Sequence, residues 1–223
     1  MQPDKPESRI AAIFDLDLTI TSRDSFKYFI IWEHLYHPIN WRYFPSIVLY
    51  GILRKFRLIP LQTFKEKSLT FLKNKTKQSI YNSGRLFFEV HLNKYIRSQA
   101  RETIDWHKKR NHQIIIATSS PDIYIKPLSD SLSCSAYVCS TLAYRNHLFI
   151  GRFSGKDCLG DNKLEAVIIL SKQLTFDLKL SYAYSDHESD LPILESVKKA
   201  IAVNPTKKLQ NIANSKRWDI KHW

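Results

Sequence analysis

Cysteine is scarce in this chain of 223 residues, and the placement of its three copies excludes several kinds of site. Cys134, Cys139 and Cys158 form no CxxC pair and have no histidine cluster beside them, which argues against a zinc site. An odd number of cysteines also argues against a disulfide framework. We therefore expect three reduced thiols, as in an intracellular protein.

Long hydrophobic runs are also missing. The most apolar stretch outside the expected strands, residues 43–61, is uninterrupted only over 44–53 and then continues into Arg54, Lys55 and Arg57. A membrane-spanning helix needs about 20 mostly apolar residues. The start, MQPDKPESRIAAIF, has no basic segment followed by a long apolar run, so no secretory leader is expected. We expect a cytoplasmic protein, with peripheral contact at the inner face of the membrane as an alternative.

Acidic residues are few relative to basic ones. The chain has 34 Lys and Arg against 21 Asp and Glu, a formal charge of +13. Residues 22–92 hold 12 basic and 4 acidic residues, a net of +8, and residues 198–223 hold 7 and 1, a net of +6. Such a chain favours anionic partners: phosphorylated metabolites, anionic membranes or nucleic acid.

Four short apolar runs predict buried strands, and each ends in polar residues. They are RIAAIF at 9–14, QIIIA at 113–117, LSYAY at 180–184 and KAIAV at 199–203. Helical patterns lie between them, at 93–110, 161–174 and 206–215, and Pro121 predicts the start of a helix over 122–131. Strands that alternate with helices predict an α/β fold with a parallel sheet and helices on both faces. Residues 136–153 instead predict a β-hairpin around 145–147.

The interval from residue 22 to about residue 92 does not fit this alternation. It is basic and aromatic, and its apolar spacing favours helices. We interpret it as a helical insertion after the first strand. The expected organisation is a three-layer Rossmann-like core of residues 1–21 and 93–223 with a helical cap of residues 22–92.

Two carboxylates follow the first strand directly. In an extended segment, Asp15 and Asp17 point to the same side, about 7 Å apart along the chain. Close carboxylates repel each other, and a cation resolves the repulsion; oxygen ligands favour Mg²⁺. One carboxylate can then attack phosphorus while the other moves a proton to and from the reacting oxygens. A turn that carries two Asp residues is the simpler alternative.

Three further polar clusters are expected at the same edge, because ligands bind outside the carboxyl ends of parallel strands. Thr118, Ser119 and Ser120 offer hydroxyl and N–H groups to an anion, although an ordinary helix N-cap explains them as well. Lys163 at a helix start can neutralise a phosphate, or be a solvated surface lysine. Asp186 and Asp190 add two carboxylates, or form an acidic first turn of a helix.

Taken in order, the four clusters resemble the haloacid dehalogenase-like superfamily of aspartyl-phosphate hydrolases. The matching segments are FDLDLT at 14–19, IIIATSS at 114–120, GDNK at 160–163 and YSDHESDLP at 184–192. The long insertion after the first segment and the ATSSP form of the second are similar to the phosphoserine-phosphatase-like branch. The ending AIAVNPTKKLQNIANSKRWDI is similar to the last strand and helix of that branch.

The resemblance implies a role for each cluster. Asp15 would be the nucleophile and Asp17 the general acid and base. Thr118, with Ser119, would bind the phosphoryl oxygens, and Lys163 would neutralise charge in the transition state. The implied Mg²⁺ would lie on Asp15, Asp186 and the main-chain carbonyl of Asp17, while Asp190 would orient Lys163 or complete the metal shell.

The substrate is less defined than the chemistry. Asp24 stands where phosphoserine phosphatases place a substrate-binding Glu, but the insertion has no clear match to their substrate-binding Arg. A small phosphorylated metabolite similar to phosphoserine is expected. The basic, apolar stretch 43–61 raises the alternative of a lipid phosphate such as phosphatidylglycerophosphate, and a phosphotransferase with the same nucleophile is a further alternative. A nucleic-acid partner is disfavoured, since acidic strand ends would repel its phosphates. The sequence does not indicate an oligomeric state.

Overall fold

The computed structural model describes residues 9–223, so residues 1–8 of the expected core segment lie outside the described part. Within it, the main sheet has six parallel strands in the order β3-β2-β1-β6-β7-β8. A separate antiparallel pair is formed by β4 and β5. The strands are β1 (Ala11–Phe14), β2 (Gln113–Pro121), β3 (Ala136–Ser140), β4 (Leu142–Arg145), β5 (Leu148–Phe153), β6 (Tyr182–Ser185), β7 (Lys199–Val203) and β8 (Asp219–Lys221).

Helices cover both faces of the sheet, which confirms the predicted α/β class. They are α1 (Ser25–Tyr36), α2 (Phe44–Lys55), α3 (Leu61–Ser68), α4 (Lys77–Val90), α5 (Ser98–Lys108), α6 (Ile125–Ser131), α7 (Asp161–Leu174), α8 (Leu191–Ser196) and α9 (Lys207–Lys216). Successive residues of β1 point to opposite faces. Phe14 packs in the core under α5 and the insertion, while Ile13 packs in the core under α7, α8 and α9.

Strand β1 lies in the middle of the sheet because both of its faces are apolar. All four of its residues are buried. It pairs with β2 on one side and with β6 on the other, so that Phe14 is level with Ile116 and Tyr184. Just beyond this level come Asp15 after β1, Thr118 within β2 and Ser185 at the end of β6, so polar residues of three segments meet at one sheet edge.

The helical insertion leaves and rejoins the core at one place. Thr21 before α1 bridges Ile96 before α5. The Ser22 N–H donates to the Tyr95 carbonyl at 2.8 Å, and the Arg97 N–H donates to the Ile20 carbonyl at 2.9 Å. Helices α1 to α4 thus form one excursion from the sheet.

Three local expectations differ from the structure. The predicted helix over 93–110 is a short 3₁₀ turn followed by α5, because Ile96 is extended where it bridges Thr21. Pro121 ends β2 and does not begin a helix, since it still pairs with Ser140 of β3, and α6 begins only at Ile125. Residues 136–140 are an edge strand of the main sheet, so the predicted hairpin around 145–147 consists of β4 and β5 alone.

The cysteines are as expected. Cys134, Cys139 and Cys158 are free thiols. Burial raises the pKa of the Cys158 thiol to about 11 and the pKa of the Cys134 thiol to about 12, so both stay protonated at neutral pH.

Candidate active site

The loop after β1 places the first two carboxylates. The Asp15 N–H donates to the Tyr184 carbonyl at 2.9 Å, so Asp15 is still held in line with the sheet. The chain then turns, with Leu18 at a φ of 62° in the left-handed region, and the Thr21 N–H closes the turn on the Leu16 carbonyl. A leucine there is strained, and strained residues concentrate at functional sites.

Asp15 shares a buried lysine with Asp190. The Lys163 Nζ lies 2.9 Å from Asp15 Oδ1 and 2.7 Å from Asp190 Oδ1. Burial opposes the charge on Lys163, but the two carboxylates outweigh it and raise the pKa of the amine. Burial also raises the pKa of Asp15, against the attraction of Lys163. Lys163 lies in the first turn of α7, where the helix dipole disfavours a cation, so its position depends on these carboxylates.

Asp17 is fixed through both of its carboxylate oxygens. The Ser25 N–H donates to Oδ1 at 2.5 Å, and the Ser120 hydroxyl donates to Oδ2 at 2.6 Å. The Ser25 hydroxyl lies 3.1 Å from Ser120 Oγ and 3.0 Å from the buried Tyr124 hydroxyl. Burial, followed by the charge of Asp24, raises the pKa of Asp17 despite these hydrogen bonds.

The Thr-Ser-Ser segment has a different arrangement from the predicted helix start. Thr118 is buried at the end of β2, and its hydroxyl oxygen accepts from the Ser120 N–H at 3.0 Å. The Ser119 carbonyl accepts from Lys65 of α3 at 2.6 Å and from the Ser140 hydroxyl at 3.1 Å. Sequence reasoning singled out Ser119, whereas the serine hydroxyl that contacts Asp17 is that of Ser120.

Asp186 and Asp190 follow β6 and are both buried. Burial, followed by the charge of Asp190, raises the pKa of Asp186 to about 7. The Thr19 hydroxyl lies 3.5 Å from Asp186 Oδ1. Asp190 Oδ2 accepts from the Ser185 hydroxyl at 2.8 Å, so its two oxygens face Lys163 and Ser185.

Asp24 lies at the entrance to α1. It is exposed, and its carboxylate caps the helix by accepting from the Lys27 N–H at 2.9 Å. Its charge also contributes to the raised pKa of Asp17. Asp24 is thus near the site while it serves as a helix cap.

The donor chemistry of the cluster fits a hard cation. The charges of Asp190, Asp186 and Asp17 all raise the pKa of Asp15, so these carboxyl groups repel one another. Across residues 9–223, no three Asp, Glu, His or Cys side chains form a ready-made metal cage. Mg²⁺ does not need such a cage, because it is usually bound by one or two carboxylates and completes its shell with water and phosphate oxygens.

A second buried network joins the insertion to the site. The Lys65 Nζ lies 2.9 Å from Asp157 Oδ2, and the Ser140 hydroxyl donates to Asp157 Oδ1 at 2.5 Å. Sequence reasoning missed these residues together with Ser25 and Tyr124, and it included Ser120 in the anion-binding cluster without predicting its contact with Asp17. Lys65 and Asp157 are 92 positions apart, and no spacing rule connects them.

Known proteins resemble the chain over most of its length. Residues 12–195 match the family model described as haloacid dehalogenase-like hydrolase. Phosphoserine phosphatase SerB1 of Mycobacterium tuberculosis is 24% identical over 215 residues, which cover 95% of this chain and 70% of the relative. Protein CicA of Caulobacter vibrioides is 26% identical over 187 residues, which cover 81% and 80% of the two chains.

Solved structures share the fold. A Bordetella pertussis protein of unknown function superposes with a TM-score of 0.84 at 21% identity, covering 96% of this chain and 98% of that one. A phosphoserine phosphatase, solved as an analogue of its phospho-aspartyl intermediate, gives a TM-score of 0.66 at 15% identity and covers 97% and 94%. Since the family model also spans all four matching segments (14–19, 114–120, 160–163 and 184–192), the chain belongs to the haloacid dehalogenase-like hydrolase family and is a phosphatase.

Proposed function

We propose that the protein hydrolyses phosphate monoesters through an aspartyl-phosphate on Asp15, with Mg²⁺ as cofactor. The observation that carries the proposal is the contact between Lys163 Nζ and Asp15 Oδ1 at 2.9 Å. One oxygen of the carboxylate is oriented by a buried cation at the carboxyl edge of the sheet, and we assign the attack to the other oxygen. Positioning and charge stabilisation are the main requirements of phosphoryl transfer.

The reaction has two steps. In the first, Asp15 Oδ2 forms a bond to phosphorus, the bond from phosphorus to the leaving oxygen breaks, and Asp17 gives its proton to that oxygen. In the second, a water oxygen forms a bond to phosphorus and loses a proton to Asp17, while the bond from phosphorus to Asp15 Oδ2 breaks, so that the Asp15 carboxylate and inorganic phosphate are released. The raised pKa of Asp17 supports this role, because a carboxyl group that keeps its proton longer is the better acid near neutral pH.

We assign the neighbouring residues to two tasks, which are to orient the reacting groups and to neutralise the charge of the phosphoryl oxygens. Thr118 offers a buried hydroxyl to the phosphoryl oxygens, and Lys163 balances their charge. We assign Asp190 to the orientation of Lys163, because its two oxygens already face that lysine and Ser185. Asp15, Asp186 and the main-chain carbonyl of Asp17 would hold Mg²⁺, which supplies positive charge to the phosphoryl oxygens.

For the substrate, we propose a small phosphorylated metabolite similar to phosphoserine. The similarity to SerB1, whose name states that activity, supports this class. We further propose that the insertion 22–92 acts as a cap over the site, with Asp24 and Ser119 near the substrate. A phosphotransferase with the same nucleophile stays an alternative, which product analysis with an added acceptor alcohol would distinguish.

A lipid phosphate such as phosphatidylglycerophosphate is the second candidate substrate. It is favoured by one observation: α2 is rich in apolar residues and yet buries none of its residues fully. An enzyme for a small soluble metabolite has no need for such an exposed apolar helix.

A phosphatase screen over phosphorylated amino acids, sugars, nucleotides and lipids tests the proposal. Activity should require Mg²⁺ and should be lost from the Asp15→Asn variant, which removes the attacking carboxylate. The Asp161→Asn variant is the control, since Asp161 lies in the same turn as Lys163 but outside the assigned machinery. Activity retained by Asp15→Asn would remove Asp15 from its assigned role.

A further inference from the structure

The outer face of α2 is an apolar surface without a covering element among the described residues. Phe44, Val48 and Ile52 are four residues apart, share one side of the helix and are exposed. Phe56 and Leu58, which follow the end of the helix in the sequence, are also exposed, by 67% and 69%. We call these five residues the docking face. Contiguous exposed apolar surface of this kind marks a site of protein or membrane contact.

The segment that carries the docking face has charge of only one sign. From residue 34 to residue 65 the sequence contains no Asp or Glu. Arg54, Lys55 and Arg57 lie among the apolar residues, and none of the three forms an ion pair with a carboxylate of residues 9–223. A partner that covers the docking face must therefore supply negative charge and accept apolar side chains.

The docking face is connected to the core through helix α3. Helix α3 begins directly after the docking face, and Gln62 in its first turn donates to the Gly155 carbonyl at 2.9 Å and accepts from the Asp157 N–H at 3.1 Å. The core loop that contains these two residues leads into α7 and Lys163. The segment that carries the docking face is thus anchored, through Gln62, to the core loop that precedes Lys163 in the sequence.

We propose that the docking face binds the protein peripherally to an anionic membrane surface. The apolar residues would enter the boundary between headgroups and acyl chains, while Arg54, Lys55 and Arg57 would contact anionic headgroups. Within residues 9–223 no helix is long and apolar enough to cross a membrane. Helix α2 has 12 residues, a length of about 18 Å, which suits a helix that lies in the plane of the interface.

A second copy of the chain fits the docking face less well than a membrane does. In a two-fold dimer the same patch contacts itself. The three cations of each copy would then face those of the other, with no carboxylate from residues 34–65 to compensate them. The inference rests on the proposed function only for its consequence, which is that the Asp15 site would reach phosphate monoesters carried by lipids.

Vesicle flotation tests the proposal directly. The full chain is mixed with phosphatidylcholine vesicles that contain about 30% phosphatidylglycerol, or with pure phosphatidylcholine vesicles, at about 50 mM and about 500 mM NaCl. We expect the protein to float with the anionic vesicles at low salt and to float much less with neutral vesicles or at high salt, since headgroup attraction is screened. Failure to float with anionic vesicles at low salt would overturn the proposal.

Variants locate the contact. Val48→Asp/Ile52→Asp and Lys55→Glu/Arg57→Glu should each bind anionic vesicles at least about tenfold more weakly, because charge opposes insertion and repels the headgroups. The matched controls Leu86→Asp/Ile169→Asp and Lys179→Glu/Lys207→Glu change exposed residues elsewhere and should bind like the unaltered protein. An equal loss of vesicle binding in the control variants would contradict a docking face confined to these residues.

A soluble substrate separates this inference from the proposed function. All four variants should hydrolyse p-nitrophenyl phosphate at the unaltered rate, because none changes the site. Hydrolysis without flotation would refute the docking face and leave the phosphatase intact. Flotation together with an active Asp15→Asn variant would refute the assigned nucleophile and leave the docking face.

Discussion

Lys65 of the insertion and Asp157 of the core form a buried ion pair, with Nζ 2.9 Å from Oδ2. The same ammonium donates to the Ser119 carbonyl, one residue after Thr118. Asp157 lies six positions before Lys163 in the sequence. The pair therefore connects the helical insertion to two segments of the candidate active site.

Removal of one partner of this ion pair should lower the stability of the protein substantially. We expect Lys65→Met to lower the free energy of unfolding by about 3–5 kcal/mol, because it leaves a buried carboxylate without a countercharge. Lys67→Met, on the same helix but exposed, is the control and should change stability by less than about 0.5 kcal/mol. Urea denaturation measures both variants.

The double variant Lys65→Met/Asp157→Asn tests whether the two residues act as a pair. It should be less destabilised than the sum of the two single variants, since the uncompensated charge is gone. A loss of stability in the double variant that equals the sum of the losses in the two single variants would contradict a direct interaction.

Gly84 allows α4 to pack closely on the core. A Cβ at this position would lie 2.0 Å from the Ile123 carbonyl oxygen, so the backbone of one element would have to move. We expect Gly84→Ala to destabilise the protein by about 1–3 kcal/mol, although Ala is the better helix former.

Gly51→Ala is the matched control for this prediction. Gly51 also lies within a helix of the insertion, but its nearest neighbour would be Phe64 at an ordinary 3.8 Å. This substitution should stabilise the protein by up to about 1 kcal/mol. Thermal unfolding of the two variants in parallel checks the opposite signs, and equal effects would contradict the close approach of α4.

The sequence predicts the sheet and the strand-end clusters because burial on both faces and strand-to-loop transitions are local patterns. The Asp15 N–H donates to the Tyr184 carbonyl, and Lys163 contacts Asp15, so residues of three predicted clusters lie near one another. The helix start predicted at Pro121 is wrong because the local preference of proline is outweighed by pairing with Ser140 of β3. That pairing depends on a residue 19 positions away, so no local pattern indicates it.

The contacts that position the site are the part that sequence reasoning could not supply. Ser25 and Ser120 meet at Asp17 only because α1 of the insertion begins opposite the end of β2. A lysine at 65 in a basic segment suggests a solvated side chain, and only the tertiary structure shows that it is buried against Asp157. Polar residues in loops carry no periodic pattern that would indicate such partners.

The titration of Asp186 should lower the stability of the metal-free protein as pH rises. The pKa of Asp186 is about 7 in the folded protein and about 3.8 in an unfolded chain, so the folded state binds the proton more tightly. Between about pH 4 and about pH 7 the unfolded state has lost this proton and the folded state has not, so unfolding releases it and stability falls with pH. Above about pH 7 the effect is complete.

Melting temperatures in EDTA across this pH range measure the effect. The amide that replaces the carboxyl group in the Asp186→Asn variant cannot titrate, so the melting temperature of the unaltered protein should fall with pH relative to that of the variant, and added Mg²⁺ should reduce this relative fall. A profile that is identical for Asp186→Asn and the unaltered protein would contradict the raised pKa of Asp186.

Because Asp17 is proposed to give a proton to the leaving oxygen, the decrease in rate on its removal should depend on the leaving group. Asp17→Asn should reduce kcat for alkyl phosphates by about 10²–10⁴-fold, since the departing alkoxide needs a proton. The rate at which the phosphoenzyme forms from p-nitrophenyl phosphate should fall far less, because p-nitrophenolate is a good leaving group. The rate of the p-nitrophenol burst measures this step. Equal losses for both substrate classes would contradict proton donation by Asp17.

Detection of the phosphoenzyme tests the central claim. The protein is mixed with excess phosphate monoester and Mg²⁺, quenched in acid during turnover, reduced with borohydride and digested for mass spectrometry. An acyl phosphate on Asp15 would be converted to homoserine at position 15, and we predict that product in the unaltered protein and its absence in Asp15→Asn. Turnover without homoserine at that position, or with the modification at another residue, would contradict the account.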